Sequence, residues 1–339
     1  MAYISFKPSD YYSTKLYTGN AGTNAITGVG FQPDFTWLKK RNAGEGHNLQ
    51  DITRGPTKNI MTSSSNGEAT NANKLQSFNS DGFTLGSNAE VNGSFNFASY
   101  NWKGSNTTAT NTAGDVDSTV SVNTTAGISI VKWYNNTSNA ISIGHGLGAI
   151  PDAVIVKKTD GTANWHCRFK GFDANNYISL NNTEAKGSST GVFATLPTST
   201  LFYTGTSSYH INSNLVAYCF ASKKGFSKIG DTYQGTGNVD GPFVYTGFRP
   251  AFLMIKCSSA TENWYMFDNK RAGYNFANYS FKANSTDAEA TSTYLELLSN
   301  GFKIRNAAGD INANGQTFLY MAFAEQPIVG SNDTPGVAR

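Results

Sequence analysis

Among the residues able to do chemistry, two pairs stand out: Asp51 with Arg54, and Asp268 with Arg271. A carboxylate and a guanidinium at this spacing can brace a turn at a strand end through an ion pair and hydrogen bonds. The rival reading is a ligand site present twice. Trp165 and Trp264 could stack on sugar rings if exposed, but their matched positions in two related segments favour a shared place in the core. The histidines (His47, His145, His166 and His210) are scattered, with no close pair at metal-ligand spacing. His145 lies in Gly144-His-Gly-Leu-Gly148, which lacks the Gly-Lys-Ser/Thr ending of a phosphate loop and precedes a strand pattern, so it reads as a turn. No Ser/His/Asp set stands out from a Ser-rich background, and with 23 acidic residues a carboxylate pair discriminates nothing. Cys167, Cys219 and Cys257 are odd in number and far apart, and read as buried thiols. No catalytic, metal or cofactor site is expected, and the chain reads as a non-enzyme.

The elements that must position these residues follow from composition. Only 14% of the 339 residues are charged, while Gly (34), Ser, Thr and Asn abound. These are poor helix formers and good turn and strand-edge residues. Phe 22, Tyr 17 and Trp 5 supply ample area for a core, which excludes disorder. A net charge of +3 without a basic stripe argues against nucleic acid. No apolar run is long enough to span a bilayer, and the N-terminus lacks the pattern of a signal peptide.

Self-similarity organises the chain. Phe31-Gln-Pro-Asp-Phe-Thr-Trp-Leu-Lys-Lys40 resembles Ala149-Ile-Pro-Asp-Ala-Val-Ile-Val-Lys-Lys158, and both resemble Phe248-Arg-Pro-Ala-Phe-Leu-Met-Ile-Lys-Cys257. Each has a proline (Pro33, Pro151, Pro250), an apolar run, and a lysine six residues after the proline. Proline cannot donate to a ladder and suits the first position of a strand; a run apolar on both faces suits a strand between two packed layers. His47, Trp165 and Trp264 come fourteen residues after the prolines. The copies close on Tyr100-Asn-Trp102, Tyr218-Cys-Phe220 and Met321-Ala-Phe323, with 69, 69 and 73 residues from proline to final aromatic. Copies one and three share the Asp/Arg pair, a Glu-Ala-Thr segment and a hairpin signal (Asp81-Gly82-Phe83, Asn300-Gly301-Phe302), whereas copy two has Phe169 and Phe172 at the pair's positions. The expected fold is all-β: three tandem repeats of a small sandwich or jelly-roll-like domain, over 1–110, 125–230 and 231–330, with a flexible tail over 331–339. Polar stretches near Ser105 to Thr125 and Lys223 to Asp240 mark the boundaries.

Tyr17-Thr-Gly-Asn-Ala-Gly-Thr23, Gly28-Val-Gly-Phe-Gln-Pro-Asp-Phe35, Arg54-Gly-Pro-Thr-Lys58, Ser80-Asp-Gly-Phe-Thr-Leu-Gly-Ser87 and Ile143-Gly-His-Gly-Leu-Gly-Ala-Ile-Pro-Asp152 carry a resemblance. They are similar to a domain of virion proteins from marine bacteriophages, chiefly those of cyanobacteria, whose members are regarded as tail or structural proteins. The similarity covers most of residues 11 to 330. It implies a virion component made in the host cytoplasm, and names no activity. The reading is therefore a non-enzymatic virion structural protein, in the tail or on the capsid surface, that contributes to host attachment. Its expected partners are other virion proteins, host surface polysaccharide or a receptor, and further copies of itself in an oligomer. The alternative is a carbohydrate-binding module that recognises host surface polysaccharide.

Overall fold

The three proline segments lead into strands buried along almost their whole length: Phe35–Lys40, Ala153–Lys158 and Phe252–Cys257. In the computed structural model, which describes residues 6–325, the protein is all-β, with 45% strand and 3% helix. Each proline strand sits at the centre of an antiparallel main sheet, and the same five-strand order recurs in all three sheets. An opening strand (Tyr12–Thr18, Ile128–Asn135 or Ser227–Gln234) pairs with a closing strand (Asn96–Trp102, Ser213–Phe220 or Thr317–Phe323). The closing strand pairs with the proline strand, then come a fourth strand (Asn48–Asp51, His166–Phe169 or Trp264–Asp268) and a fifth (Gly55–Met61, Asn176–Ser179 or Ala277–Lys282).

The strands begin two residues beyond the prolines. Asp34, Asp152 and Ala251 first donate their backbone N–H to the carbonyls of Trp102, Phe220 and Phe323, at 2.9, 2.7 and 2.7 Å. Proline thus occupies the approach to the ladder, where its missing donor costs nothing. The hairpin signals also differ in detail from expectation. Ser80-Asp81 and Ser299-Asn300 fill the two-residue turns, because Gly82 and Gly301 already pair with Asn79 and Leu298. Glycine is required there by close approach: a Cβ would lie 2.0 Å from the Ile26 carbonyl oxygen at Gly82, and 2.1 Å from that of Val244 at Gly301.

Strand alternation gives every main sheet two buried faces. The outward faces pack under smaller outer layers: Asn24–Thr27, Leu75–Asn79 and Gly82–Leu85 in the first, and Ile141–Gly144 with Leu201–Thr204 in the second. In the third, Phe243–Tyr245, Ala290–Leu298 and Gly301–Ile304 play this part. The inward faces of all three sheets meet in one cluster. At its centre the closing aromatics touch one another: Trp102 and Phe323 at 5.6 Å between ring centroids, Phe220 and Phe323 at 5.7 Å, and Trp102 and Phe220 at 6.4 Å. A central cavity of about 20 Å³ presents only apolar wall, from aliphatic and aromatic side chains, and so offers an ordered water no polar partner.

The polar stretches expected as boundaries are themselves structured. Ala109–Asn111 and Ser118–Asn123 pair with each other and extend the second main sheet, so the strand at 109–111 belongs with residues beyond the expected boundary at 110. Val120 and Val122 alternate with polar residues, the pattern of a half-covered strand, here lying between Ala109–Asn111 and Ile128–Asn135. Likewise Ser227–Gln234 opens the third sheet and spans the expected boundary at 230. The tail expected over 331–339 lies outside the described residues. No helix among the described residues is long and apolar enough to cross a membrane.

The third sheet returns to the first. Phe6 packs on Phe226 at 5.5 Å, and Ala324 donates its N–H to the Phe226 carbonyl at 2.7 Å, so the two ends of the described chain share a neighbour. A circular permutant that joins the ends by a flexible linker and opens between the exposed Thr107 and Thr108 is therefore expected to fold, with a single unfolding transition close to the parent's. Loss of cooperative unfolding in a calorimetric scan would contradict closure.

Candidate functional site: the seams between the sheets

The inward face of each fourth strand ends at Asp51, Phe169 or Asp268. At the first and third sheets the expected partners are brought together. Arg54 Nε donates to Asp51 Oδ2 at 2.5 Å, and Arg271 Nε to Asp268 Oδ2 at 2.5 Å. The other carboxylate oxygen caps the turn by accepting the backbone N–H of the arginine, at 3.0 and 2.8 Å. Each guanidinium also donates to a strand carbonyl, Leu49 at 3.2 Å or Met266 at 3.0 Å, and to a second carboxylate, Glu68 at 3.1 Å or Glu289 at 3.2 Å. Burial opposes ionisation of both aspartates, but the adjacent arginine and the hydrogen bonds outweigh it and hold each carboxyl below its ordinary value.

Each pair also has a partner that spacing within a segment could not reveal. Tyr218, from the second sheet, donates its hydroxyl to Asp51 at 2.8 Å, and Tyr100, from the first, donates to Asp268 at 2.9 Å. The pairs therefore bridge the first sheet to the second and the third to the first. On the second sheet Phe169 packs on Phe172 at 6.0 Å and on Trp264 of the third at 6.0 Å, while Lys186 lies 5.4 Å from the Phe172 ring. The register aligns Met321 of the third sheet with Tyr100 and Tyr218. This seam lacks both the tyrosine and the ion pair.

The recurring lysines close all three seams in the same way. Lys39, Lys157 and Lys256 are at most 1% exposed. Each Nζ donates to a carbonyl six residues on: Glu45 at 2.6 Å, Ala163 at 3.0 Å and Glu262 at 2.6 Å. Each also donates to a loop of the neighbouring sheet: Thr286 at 3.2 Å, Ser65 at 3.0 Å and Thr183 at 3.0 Å. Those same three carbonyls accept backbone N–H groups from Glu45, Ala163 and Glu262, and return bonds run from Glu68 to Thr159, from Lys186 to Ser258 and from Glu289 to Arg41. Burial pushes all three ammonium groups down to about 8.

Trp165 and Trp264 are fully buried and cross the seams as well. Trp165 Nε1 donates to the Met61 carbonyl at 2.9 Å, and Trp264 Nε1 to the Ser179 carbonyl at 2.9 Å. His47, their counterpart by position, instead accepts from Trp37 Nε1 at 2.8 Å and packs on Phe281 at 5.9 Å. The tryptophans are core residues, with no face open to a sugar.

The fold gathers residues that local spacing left apart. His166 and His210 meet at 3.3 Å, Nδ1 to Nε2, and burial pushes them down to about 4 and about 3. Forty-four positions separate them, and no group of three or more metal-ligating side chains suited to an ion occurs among the described residues. Glu262 is pushed up to about 7, first by its hydrogen bond to Asp310 and then by burial. The loop His145 is buried, accepts the Leu147 N–H at 3.1 Å, and forms part of the approach to the proline strand. One nucleophile-elbow spacing does occur, Gly187-Ser-Ser-Thr-Gly191, which sequence reading passed over. No helix follows it, and the Ser189 hydroxyl accepts the Gly191 N–H at 3.2 Å in a local turn.

A single family model matches residues 7–327, spanning all three sheets and their seams. The chain belongs to that family, Domain of unknown function (DUF7483). Among curated proteins and among solved structures, nothing matches the chain. The DUF7483 match thus begins and ends within two residues of the described structure, and encloses every seam lysine.

Two outcomes follow from the seams. Arg271→Ala leaves the Asp268 carboxylate buried without its counter-charge and is expected to cost about 3–5 kcal/mol. Asp268→Ala with Arg271→Ala should cost clearly less than the two single losses together, as read by denaturant unfolding. The lysines set a pH dependence of known sign. Their folded values lie below the ordinary 10.5, so between about 8 and 10.5 the unfolded chain binds more protons and stability rises with pH. Buried Cys167 and Cys219 are raised and oppose this above about 9, where unfolded thiols ionise. The expected gain therefore lies between pH 8 and 9, and Lys157→Met, which removes one of the three lysines, should reduce it in urea midpoints.

Proposed function

We propose that the chain is three copies of one β-unit closed into a ring, and that it serves as a non-enzymatic virion structural protein, in the tail or on the capsid surface, contributing to host attachment. One observation carries this reading: the ionisable residues that recur between copies are spent on the seams. Lys39, Lys157 and Lys256 bind loop carbonyls, and both Asp/Arg pairs are enclosed by tyrosine, glutamate and backbone. Recurring charge is thus invested in rigidity, which suits a part that must hold its shape inside an assembly. The resemblance of the first and second copies to marine phage virion domains supports the same reading. Antibody labelling of purified particles by electron microscopy tests it, with label expected on the tail or capsid surface. Particles that lack the chain while the infected-cell lysate contains it would sink the proposal. A second reading, a carbohydrate-binding module, is favoured by a specific feature of the third outer sheet: its exposed aromatics Phe243 and Tyr245.

A further inference from the structure

We infer that the open mouth between the third sheet's opening strand and its outer sheet is a glycan-binding groove. Phe243 and Tyr245 provide stacking faces for pyranose rings, and Lys228, Asp231 and Thr232 provide hydrogen-bonding partners. The inference develops the carbohydrate-binding reading and uses the three-copy alignment for its comparison of positions.

The register fixes that comparison. Phe243, Val244 and Tyr245 lie opposite Lys303, Phe302 and Gly301. Their counterparts are Ala25, Ile26 and Thr27 in the first outer sheet, and Ser142, Ile143 and Gly144 in the second. The middle residue is buried each time, as the core requires. The flanking positions are small in two copies and aromatic in the third, where Phe243 is 46% and Tyr245 56% exposed. Exposed aromatic rings gain little from folding, so their appearance at both flanking positions of one copy points outward to a ligand.

Two further features shape the place. In the second copy the equivalent edge is covered: Val116 bridges Ile143, and Ser118 donates its hydroxyl to the Gly144 carbonyl at 2.9 Å. In the third copy it stays open, a depression of about 460 Å³ lined by both aromatics with Lys228, Asp231, Thr232 and Tyr320. The opening strand carries a register shift between Ile229 and Thr232, with Gly230 at φ 73°, next to Asp231 and Thr232, which line this depression. Bulges of this kind re-aim side chains, and here Asp231 meets Lys228 at 3.1 Å through one carboxylate oxygen and Lys170 of the second sheet through the other. Lys228 in turn donates to the Tyr245 carbonyl at 2.8 Å and stands 5.7 Å from its ring centroid.

The mixture of walls selects the occupant. An apolar protein surface laid here would bury the Lys228–Asp231 pair away from water without new partners. A saccharide offers C–H faces to the rings and hydroxyls to the ammonium, carboxylate and Thr232.

Isothermal titration of the full chain with cellohexaose, chitohexaose and laminarihexaose tests the groove. Saturable binding to at least one is expected, weakened at least tenfold by Phe243→Ala with Tyr245→Ala, at an unchanged melting temperature. Tyr274→Ala, which removes a ring 76% exposed outside this depression, should bind like the parent. Absence of saturable binding to all three sugars, parent-like binding by the double variant, or equal loss on Tyr274→Ala would each overturn the groove. Failure of the circular permutant would remove the three-copy alignment and leave this binding result standing.

Discussion

A lysine ammonium buried between two loops is a costly group to leave alone, and the structure resolves that cost only across a seam. Lys39, Lys157 and Lys256 each take one carbonyl from their own sheet and one from the next. Separating any two sheets would strip one partner from a buried cation and expose the loop bonds beside it. Because the sense of the contact is the same at every seam, from first to second, second to third and third to first, the geometry is heterologous and closes after three steps. The shared inward core, with Trp102, Phe220 and Phe323 in mutual contact, exists only when all three sheets are present.

Given that frame, the seams tolerate two chemistries but not a mixture. Where Asp51 or Asp268 is present, a tyrosine from the adjoining sheet completes its coordination, and a glutamate balances the arginine. Where Phe169 and Phe172 replace the pair, the aligned tyrosine is Met321 and the aligned glutamate is Lys186, which lies over Phe172. A phenol facing a phenylalanine would lose its acceptor; a lone carboxylate facing a thioether would lose its donor. The change therefore involves both sheets of a seam at once, and the same closure that shares out the lysines forces the coupling.

Much of the frame was legible because it is local. The proline strands announced themselves by apolar runs on both faces, and the Asp/Arg pairs by a spacing of three, which is a turn-scale quantity. What crosses a seam was not legible. The tyrosines that complete the pairs stand 167 and 168 positions from their aspartates, and nothing in their own surroundings marks them. The same holds for His166 and His210, which are drawn together by a loop that packs back onto the fourth strand. Residues 105 to 125 were read as a linker because edge strands are polar on one side and short, so their composition resembles that of a loop. The hairpin glycines were assigned to the turn because Asp-Gly is a strong turn signal, whereas the demand on Gly82 and Gly301 comes from the carbonyl of the neighbouring strand.

The shared inward core also explains where the three sheets are free to differ. The residue following the seam aromatic turns outward on each fourth strand, and there the three sheets carry unrelated polar groups. Asn48 accepts from Lys74 at 2.7 Å, His166 meets His210, and Tyr265 bonds Asp310. Each of these buried groups takes its partner from the same sheet's own segment of the chain and not from across a seam, so its replacement calls for a local change alone. The mouths between main and outer sheets differ as well: they are lined with small residues in the first, sealed by residues 115 to 118 in the second, and open and aromatic in the third, where Lys170 of the second sheet reaches Asp231. Inward positions are held by three mutually dependent seams, so any one of them can change only in concert with its neighbour. Outward positions are packed under each sheet's own outer layer, so the exposed rim of one outer sheet can carry a binding surface without disturbing the inward core that the three sheets share.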